Sequence, residues 1–304
     1  MKNMVCPFKS AKGEAKYMAA YEASMKLWPV PYEDMYIANR FGHTHLAASG
    51  LPDAPALVLL HGFFFSLTMW SRNVADLSKH YRVYAVDVVG QPGKSIPDQP
   101  IRSRADFVEW LTAILDALSI DRAYLVGMSY GGWLTLNYAI GALDRVQKIV
   151  VLSPSASFLR NVRQLRLRGL PMMFFPTRFL ANSFARWLTL AENWRDPDIR
   201  PFMDCLVEQF YLGIKHFRMQ VETLSVRPVP FSDEELRSVA VPTLLLIGQQ
   251  EVLYGPAAAL ERAQRLIPHL EGEIVPRAGH DMSYSQYQAV DSRVVEFLNE
   301  GGRS

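Results

Sequence analysis

Ala123-Tyr124-Leu125-Val126-Gly127-Met128-Ser129-Tyr130-Gly131-Gly132 sets a short apolar run against a Gly-x-Ser-x-Gly turn. Ala123 to Val126 has no polar alternation, as expected of a strand covered on both faces, and a helix is expected from near Gly132. A serine at so sharp a strand-to-helix turn sits in a strained backbone conformation. Side chains two residues to either side of it would collide with neighbouring backbone, which accounts for the glycines. Its hydroxyl lies at a helix N-terminus, where free N–H groups and the helix dipole favour negative charge. The pattern makes Ser129 the candidate nucleophile.

Outward from this turn, short apolar runs recur at Ala56 to Leu60, Tyr81 to Val86, Lys148 to Leu152 and Thr243 to Ile247, with Gly272 to Val275 a plausible last strand. Helical segments lie between and around them: Ala15 to Trp28, Ser103 to Leu118, Trp133 to Ile140, Pro256 to Leu266 and Ser283 to Leu298. Alternating β and α implies a mostly parallel central sheet flanked by helices. The interval from Ser155 to about Arg237 is aromatic-rich, contains Pro171, Pro176, Pro197 and Pro201, and has no convincing buried strand. We therefore expect residues 155–237 to form a helical cap inserted before the acid-bearing strand, between core segments 1–154 and 238–304.

A serine hydroxyl needs a base within hydrogen-bond reach. Ala278-Gly279-His280 follows the last expected strand, so a loop places His280 at the sheet edge. The base in turn needs an acid to hold its tautomer. Glu251, in the loop after Thr243 to Ile247, completes the chain order Ser, acid, His. Asp233 competes, but Ser232-Asp233-Glu234-Glu235 reads as a helix start. Asp281 adjoins His280 and is badly placed to reach its ring. For the oxyanion, His61-Gly62-Phe63 follows Ala56 to Leu60, so the backbone N–H of Phe63 pairs with that of Tyr130. His61 itself is expected to order that loop.

Composition bounds the partners. The chain has 49% hydrophobic and 20% charged residues, and 32 basic residues against 30 acidic ones leave a net charge of +2. No field of one sign draws nucleic acid or an anionic membrane, so a small molecule is the expected partner. Cys6 and Cys205 have no metal or disulfide spacing and are expected to be ordinary thiols. Met1 to Ala20 contains no apolar run of signal-peptide length, and no stretch is long enough to span a bilayer, which points to the cytoplasm.

Leu59 to Phe63, Val86-Asp87-Val88-Val89-Gly90, Gly127 to Gly132 and Ala278 to His280 together resemble the successive signatures of the capped α/β-hydrolase family. The resemblance implies hydrolysis of a carboxylic ester through an acyl-enzyme, with no metal or organic cofactor. Dehalogenases and epoxide hydrolases of that fold use aspartate where this chain has Ser129. The sequence is also similar to esterases carried on mobile resistance elements, whose relatives open the lactone ring of macrolide antibiotics. That likeness, with Met172, Met173, Phe174 and Phe175 as expected substrate-binding residues, suggests a bulky ester or lactone. A general carboxylesterase of small esters, or a ligand sensor with a slow triad, is the alternative.

Three further motifs receive structural readings. His43 and His45 alternate on a probable strand without a third metal ligand. Gly93-Lys94-Ser95 imitates the end of a phosphate loop, but Val88 stands where the first glycine belongs. Arg160, Arg163, Arg166 and Arg168 read as a solvated helix face.

Overall fold

The computed structural model describes residues 7–300. Among them nine strands form one sheet: β1 (Glu33–Asn39), β2 (Gly42–Ser49), β3 (Ala56–Leu60), β4 (Arg82–Val86), β5 (Ile96–Pro97), β6 (Ala123–Met128), β7 (Val146–Leu152), β8 (Thr243–Gly248) and β9 (Leu270–Val275). Their spatial order is β1-β2-β4-β3-β6-β7-β8-β9, with β5 beside β2. From β4 to β9 all neighbours are parallel, while β2 runs antiparallel to β1, β4 and β5. The helices are α1 (Ala11–Met25), α2 (Val74–Leu77), α3 (Arg104–Ala117), α4 (Tyr130–Gly141), α5 (Arg163–Phe174), α6 (Arg178–Leu188), α7 (Arg200–His216), α8 (Val221–Ser225), α9 (Asp233–Arg237), α10 (Pro256–Leu266), α11 (Met282–Ser285) and α12 (Tyr287–Asn299).

Each central strand divides its side chains between two cores. Leu57 and Leu59 of β3 join Tyr17 and Tyr21 of α1, Phe210 of α7 and Phe297 of α12 on one face. Val58 and Leu60 join Trp110 of α3, Trp133 of α4 and Ala263 of α10 on the other. Burial on both faces is why these strands read as unbroken apolar runs. The result is the expected α/β architecture, a mostly parallel sheet with helices on both sides.

Some boundaries move. α1 begins at Ala11 because Ser10 caps it, accepting from Gly13 N–H, and it ends at Met25 before the prolines. The expected terminal helix is two: Gln286, with φ −119° and ψ 29°, interrupts it between α11 and α12. Between β7 and β8 the chain is helical, α5 to α9. Here α5 buries only Met172 and α6 only Ala181, whereas α7 packs against α1 and buries residues from Phe202 to Ile214. Cys6 lies outside the described residues, and Cys205 is a half-buried free thiol whose pKa burial raises. Among the described residues no helix is long and apolar enough to cross a membrane.

Candidate active site

Ser129 occupies the turn between β6 and α4 with φ +55°, a left-handed conformation held by its neighbours. Its N–H donates to Leu152 O at the end of β7 (2.9 Å), and its carbonyl accepts from Trp133 N–H (3.1 Å) and Ser155 N–H (3.0 Å). The flanking glycines are steric necessities: a Cβ on Gly127 would stand 2.2 Å from Gly131 O, and one on Gly131 would stand 2.0 Å from Leu60 O. The turn therefore fits against β3 only with bare backbone.

His280 Nε2 lies 2.9 Å from Ser129 Oγ, and its Nδ1 lies 2.8 Å from Glu251 Oε2. An acceptor carboxylate at Nδ1 fixes the proton there, leaving Nε2 free to take the serine proton. Burial alone would raise the Glu251 pKa, but the charge and hydrogen bond of His280, with the Leu253 N–H (2.8 Å), outweigh it and hold the carboxyl below its ordinary value. The β8 and β9 loops that carry acid and base interlock, with Gln250 N–H donating to Ala278 O (2.9 Å). The rival acids are engaged elsewhere. Asp233 pairs with Arg262 (2.7 Å), and Asp281 accepts from Asn193 Nδ2 (2.7 Å).

The turn after β3 brings Gly62 against Ser129: a Cβ on Gly62 would come within 3.8 Å of the serine Cβ. Gly62 N–H is directed to Met69 Sδ (3.2 Å) and Phe64 N–H to Gln91 Oε1 (3.0 Å). Tyr130 is the first residue of α4, where an N–H has no partner within its own helix. The rings of Phe63 and Tyr130 meet edge to face at 5.4 Å. His61 is buried; its Nδ1 donates to Gly62 O (2.8 Å) and its Nε2 accepts from Val88 N–H (3.0 Å), so it orders the loop as a neutral ring whose pKa burial lowers.

A family model described as alpha/beta hydrolase fold matches residues 55–286. The chain belongs to the α/β-hydrolase family. It is 39% identical over 287 residues to a Bacillus subtilis (strain 168) protein named uncharacterized carboxylesterase nap, covering 93% of this chain and 92% of that one. It is 36% identical over 308 residues to carboxylesterase YbfK of the same organism, covering 97% of each chain. The crystal structure of naproxen esterase (carboxylesterase NP) from Bacillus subtilis matches with a TM-score of 0.88 and 37% identity, over 96% of this chain and 100% of that one.

In this α/β-hydrolase Ser129 and His280 open onto a cavity of about 850 Å³, within the several-hundred range usual for small-molecule sites. Of the Met172 to Phe175 run, Met172 and Met173 line it. Phe174 and Phe175 do not; they are 74% and 72% exposed. Met172, Met173 and Phe174 are successive helical residues about 100° apart, and Phe175 follows the end of α5 with φ −127° and ψ 67°, so this run cannot all face one pocket. Arg160 and Arg166 of the basic stretch also line it, Arg160 from the loop before α5. Much of the apolar wall comes from residues that no local motif marks: Phe64, Phe65 and Met69 after β3, and Met203, Val207 and Phe210 of α7. The only sequence signal for the last three is the apolar stripe of α7, which reads equally well as core.

Two of the set-aside motifs, His45 and Gly93-Lys94-Ser95, meet in a neighbouring network. Asp87, after β4, is fully buried and accepts from Tyr21 Oη (2.9 Å), Leu67 N–H (2.9 Å) and Lys94 N–H (2.8 Å). His45 contacts Asp87 through Nδ1 (2.9 Å) and Asp34 through Nε2 (2.8 Å). Burial opposes its charge, but the two carboxylates outweigh burial and raise its pKa. His43 is exposed, and among the described residues no three His, Cys, Asp or Glu side chains cluster to hold a metal. Gly93-Lys94-Ser95 wraps Asp87, with Ser95 Oγ donating to Asp87 O (2.6 Å).

Proposed function

We propose that this protein is a serine carboxylesterase of small carboxylic esters, with Ser129 as nucleophile, His280 as general base and acid, and Glu251 holding the imidazole. Ser129 Oγ, deprotonated by His280 Nε2, attacks the ester carbonyl carbon. The oxyanion forms between the N–H groups of Phe63 and Tyr130. His280 returns the proton to the leaving alkoxide, and water activated by the same nitrogen releases the acid. Helices of 155–237 cap the cavity and supply part of its apolar wall. The observation that carries this reading is the continuous hydrogen-bonded path from Ser129 through His280 to Glu251 at the floor of an apolar cavity.

The choice of small esters over a macrolide ring has two supports. The similar proteins carry carboxylesterase names, and half of the Met172 to Phe175 run proposed to hold a bulky lactone faces away from the cavity. The test is turnover of an aryl-ester panel, with a macrolide included, by wild type and Ser129→Ala. Multiple turnovers should occur in wild type, and kcat should fall on the order of 10⁵ in the variant. An activated phosphonate should add covalently to wild type alone. A single slow turnover with tight binding would mean a sensor, and Ser129-dependent addition of water to the macrolide would restore the lactone reading.

A further inference from the structure

The cavity that opens over Ser129 is lined by apolar side chains and by three arginines, Arg160, Arg166 and Arg227, while no aspartate or glutamate lines it. Elsewhere arginines of this chain find acids: Arg104 with Glu235, Arg178 with Glu208, Arg200 with Asp204, Arg262 with Asp233. Among the described residues the side chains of the three cavity arginines form no ion pair, hydrogen bond or ring contact; that of their neighbour Arg168 by contrast stacks over Trp187 at 5.3 Å. They come from three separate segments: the loop after β7, helix α5, and the loop after α8.

Two of those segments are fixed to the catalytic scaffold. Ser155 N–H donates to Ser129 O (3.0 Å), and Asn161 Nδ2 donates to Ser155 Oγ (2.8 Å), which holds the residue next to Arg160 two hydrogen bonds from the nucleophile. Val162 N–H donates to Leu253 O (2.7 Å), and Leu253 N–H donates to Glu251 Oε1 (2.8 Å), linking the same loop to the acid. The Arg227 loop joins it through Phe231 N–H to Ser157 O (3.0 Å), and Arg262 bonds both Phe158 O and Phe231 O. Three uncompensated guanidinium groups thus border an apolar space whose chemistry lies at Ser129. Guanidinium pairs with carboxylate in a planar two-point contact.

We propose that the preferred substrate is an ester that carries an anionic group, a carboxylate or its equivalent, on the part remote from the scissile bond, and that Arg160, Arg166 and Arg227 hold that group while Ser129 attacks the ester. The inference rests on the serine-esterase reading above. All three arginines are exposed to water, so each contributes modestly and the contribution weakens with salt.

The test is a matched pair of ethyl esters of equal chain length, monoethyl suberate with its free terminal carboxylate and ethyl octanoate without it, followed by pH-stat titration. The measured quantity is the ratio of kcat/KM for the charged ester to that for the uncharged one, so that any general loss in a variant cancels. In the combined Arg160→Gln, Arg166→Gln, Arg227→Gln variant the ratio should fall about tenfold. In wild type it should fall when salt is raised to about 0.5 M, and the matching triple lysine variant should recover most of it. A ratio that changes less than about threefold in the glutamine variant, within the noise of weak exposed pairs, overturns the inference and leaves the esterase reading standing. If wild type hydrolyses neither ester, the serine-esterase reading falls and this inference with it.

Discussion

The carboxyl edge of the sheet and the outer helices α5 and α6 border one cavity, yet they hold their side chains by different means. At the edge, the turns after β3, β6, β7 and β9 each place a non-glycine residue in the left-handed region: Phe64 (φ 61°), Ser129 (φ 55°), Ser153 (φ 40°) and Arg277 (φ 53°). Each such residue costs on the order of 1 kcal/mol and persists only where its surroundings over-determine it. Here they do: Ser129 N–H is tied to Leu152 O, Ser153 N–H to Leu246 O, Phe64 N–H to Gln91 Oε1 and Arg277 N–H to Gln249 Oε1. Helix α5 has no side-chain N-cap and contains Pro171, which cannot donate to the preceding turn. Its Leu167 and Phe174 are 71% and 74% exposed. The fold thus concentrates rigidity where the proposed chemistry needs a fixed geometry, and leaves the outer wall of the cavity loosely specified.

Four substitutions break or sharpen that contrast. The largest effect is expected for Glu251→Gln. The amide can offer its NH₂ to His280 and hold the wrong tautomer, so kcat should fall about 10⁴-fold while KM changes little. A loss under about tenfold, too small for a tautomer-fixing acid, would remove Glu251 from the triad. Next is Gly131→Ala. Its new Cβ meets Leu60 O at 2.0 Å, so either α4 or the end of β3 must move, at a cost of roughly 4 kcal/mol. Denaturant unfolding gives the stability. The folded remainder should also lose activity, because the shift displaces Gly62 and Phe63.

Where sequence patterns succeeded and where they fell short follows the same contrast. The buried strands and the Ser129 turn are written in local order: unbroken apolar runs, and glycines at the two positions that admit no Cβ. Glu251 and His280 could be chosen because chain order and loop placement narrow the candidates. The hairpin of β1 and β2 was seen only at His43 and His45, since β1 lies at the sheet edge and is largely exposed. The contribution of α7 to the cavity, the outward turn of Phe174 and Phe175, and the Asn193–Asp281 bond depend on residues brought together from distant segments. No local pattern encodes them.

A pH-dependent test examines what stands behind the edge. Asp281 and Asp291 are buried on the segment that carries His280; burial raises their pKa values to about 6 and about 8, opposed by hydrogen bonds from Asn193 and Asn73. Both hold the proton more tightly folded than unfolded. Each therefore contributes stability that is complete below the ordinary carboxylate range and is lost as pH rises, through about 6 for Asp281 and about 8 for Asp291. Asp291→Asn keeps an acceptor for Asn73 Nδ2, which lies 2.8 Å away, and removes the ionisation. The variant should gain on the order of 2 kcal/mol over wild type at about pH 9 and show a flatter decline of Tm with pH. Parallel curves for the two proteins would show that Asp291 is ionised at no cost.

The smallest expected effect repeats the edge substitution on the other region. Gly169 lies inside α5 and borders the cavity, and an added Cβ there meets nothing within 4 Å. Alanine loses less backbone entropy than glycine on becoming helical, so Gly169→Ala should stabilise α5 by about 0.5–1 kcal/mol. Because α5 buries only Met172, it can open without the sheet. The gain should therefore appear as slower amide hydrogen exchange within α5, with little change in global unfolding or in kcat for a small ester. The same methyl group that disrupts the edge at Gly131 would here tighten a weak helix. If exchange in α5 is instead as slow as in β6 before any substitution, the two regions form one cooperative unit and the contrast between them fails.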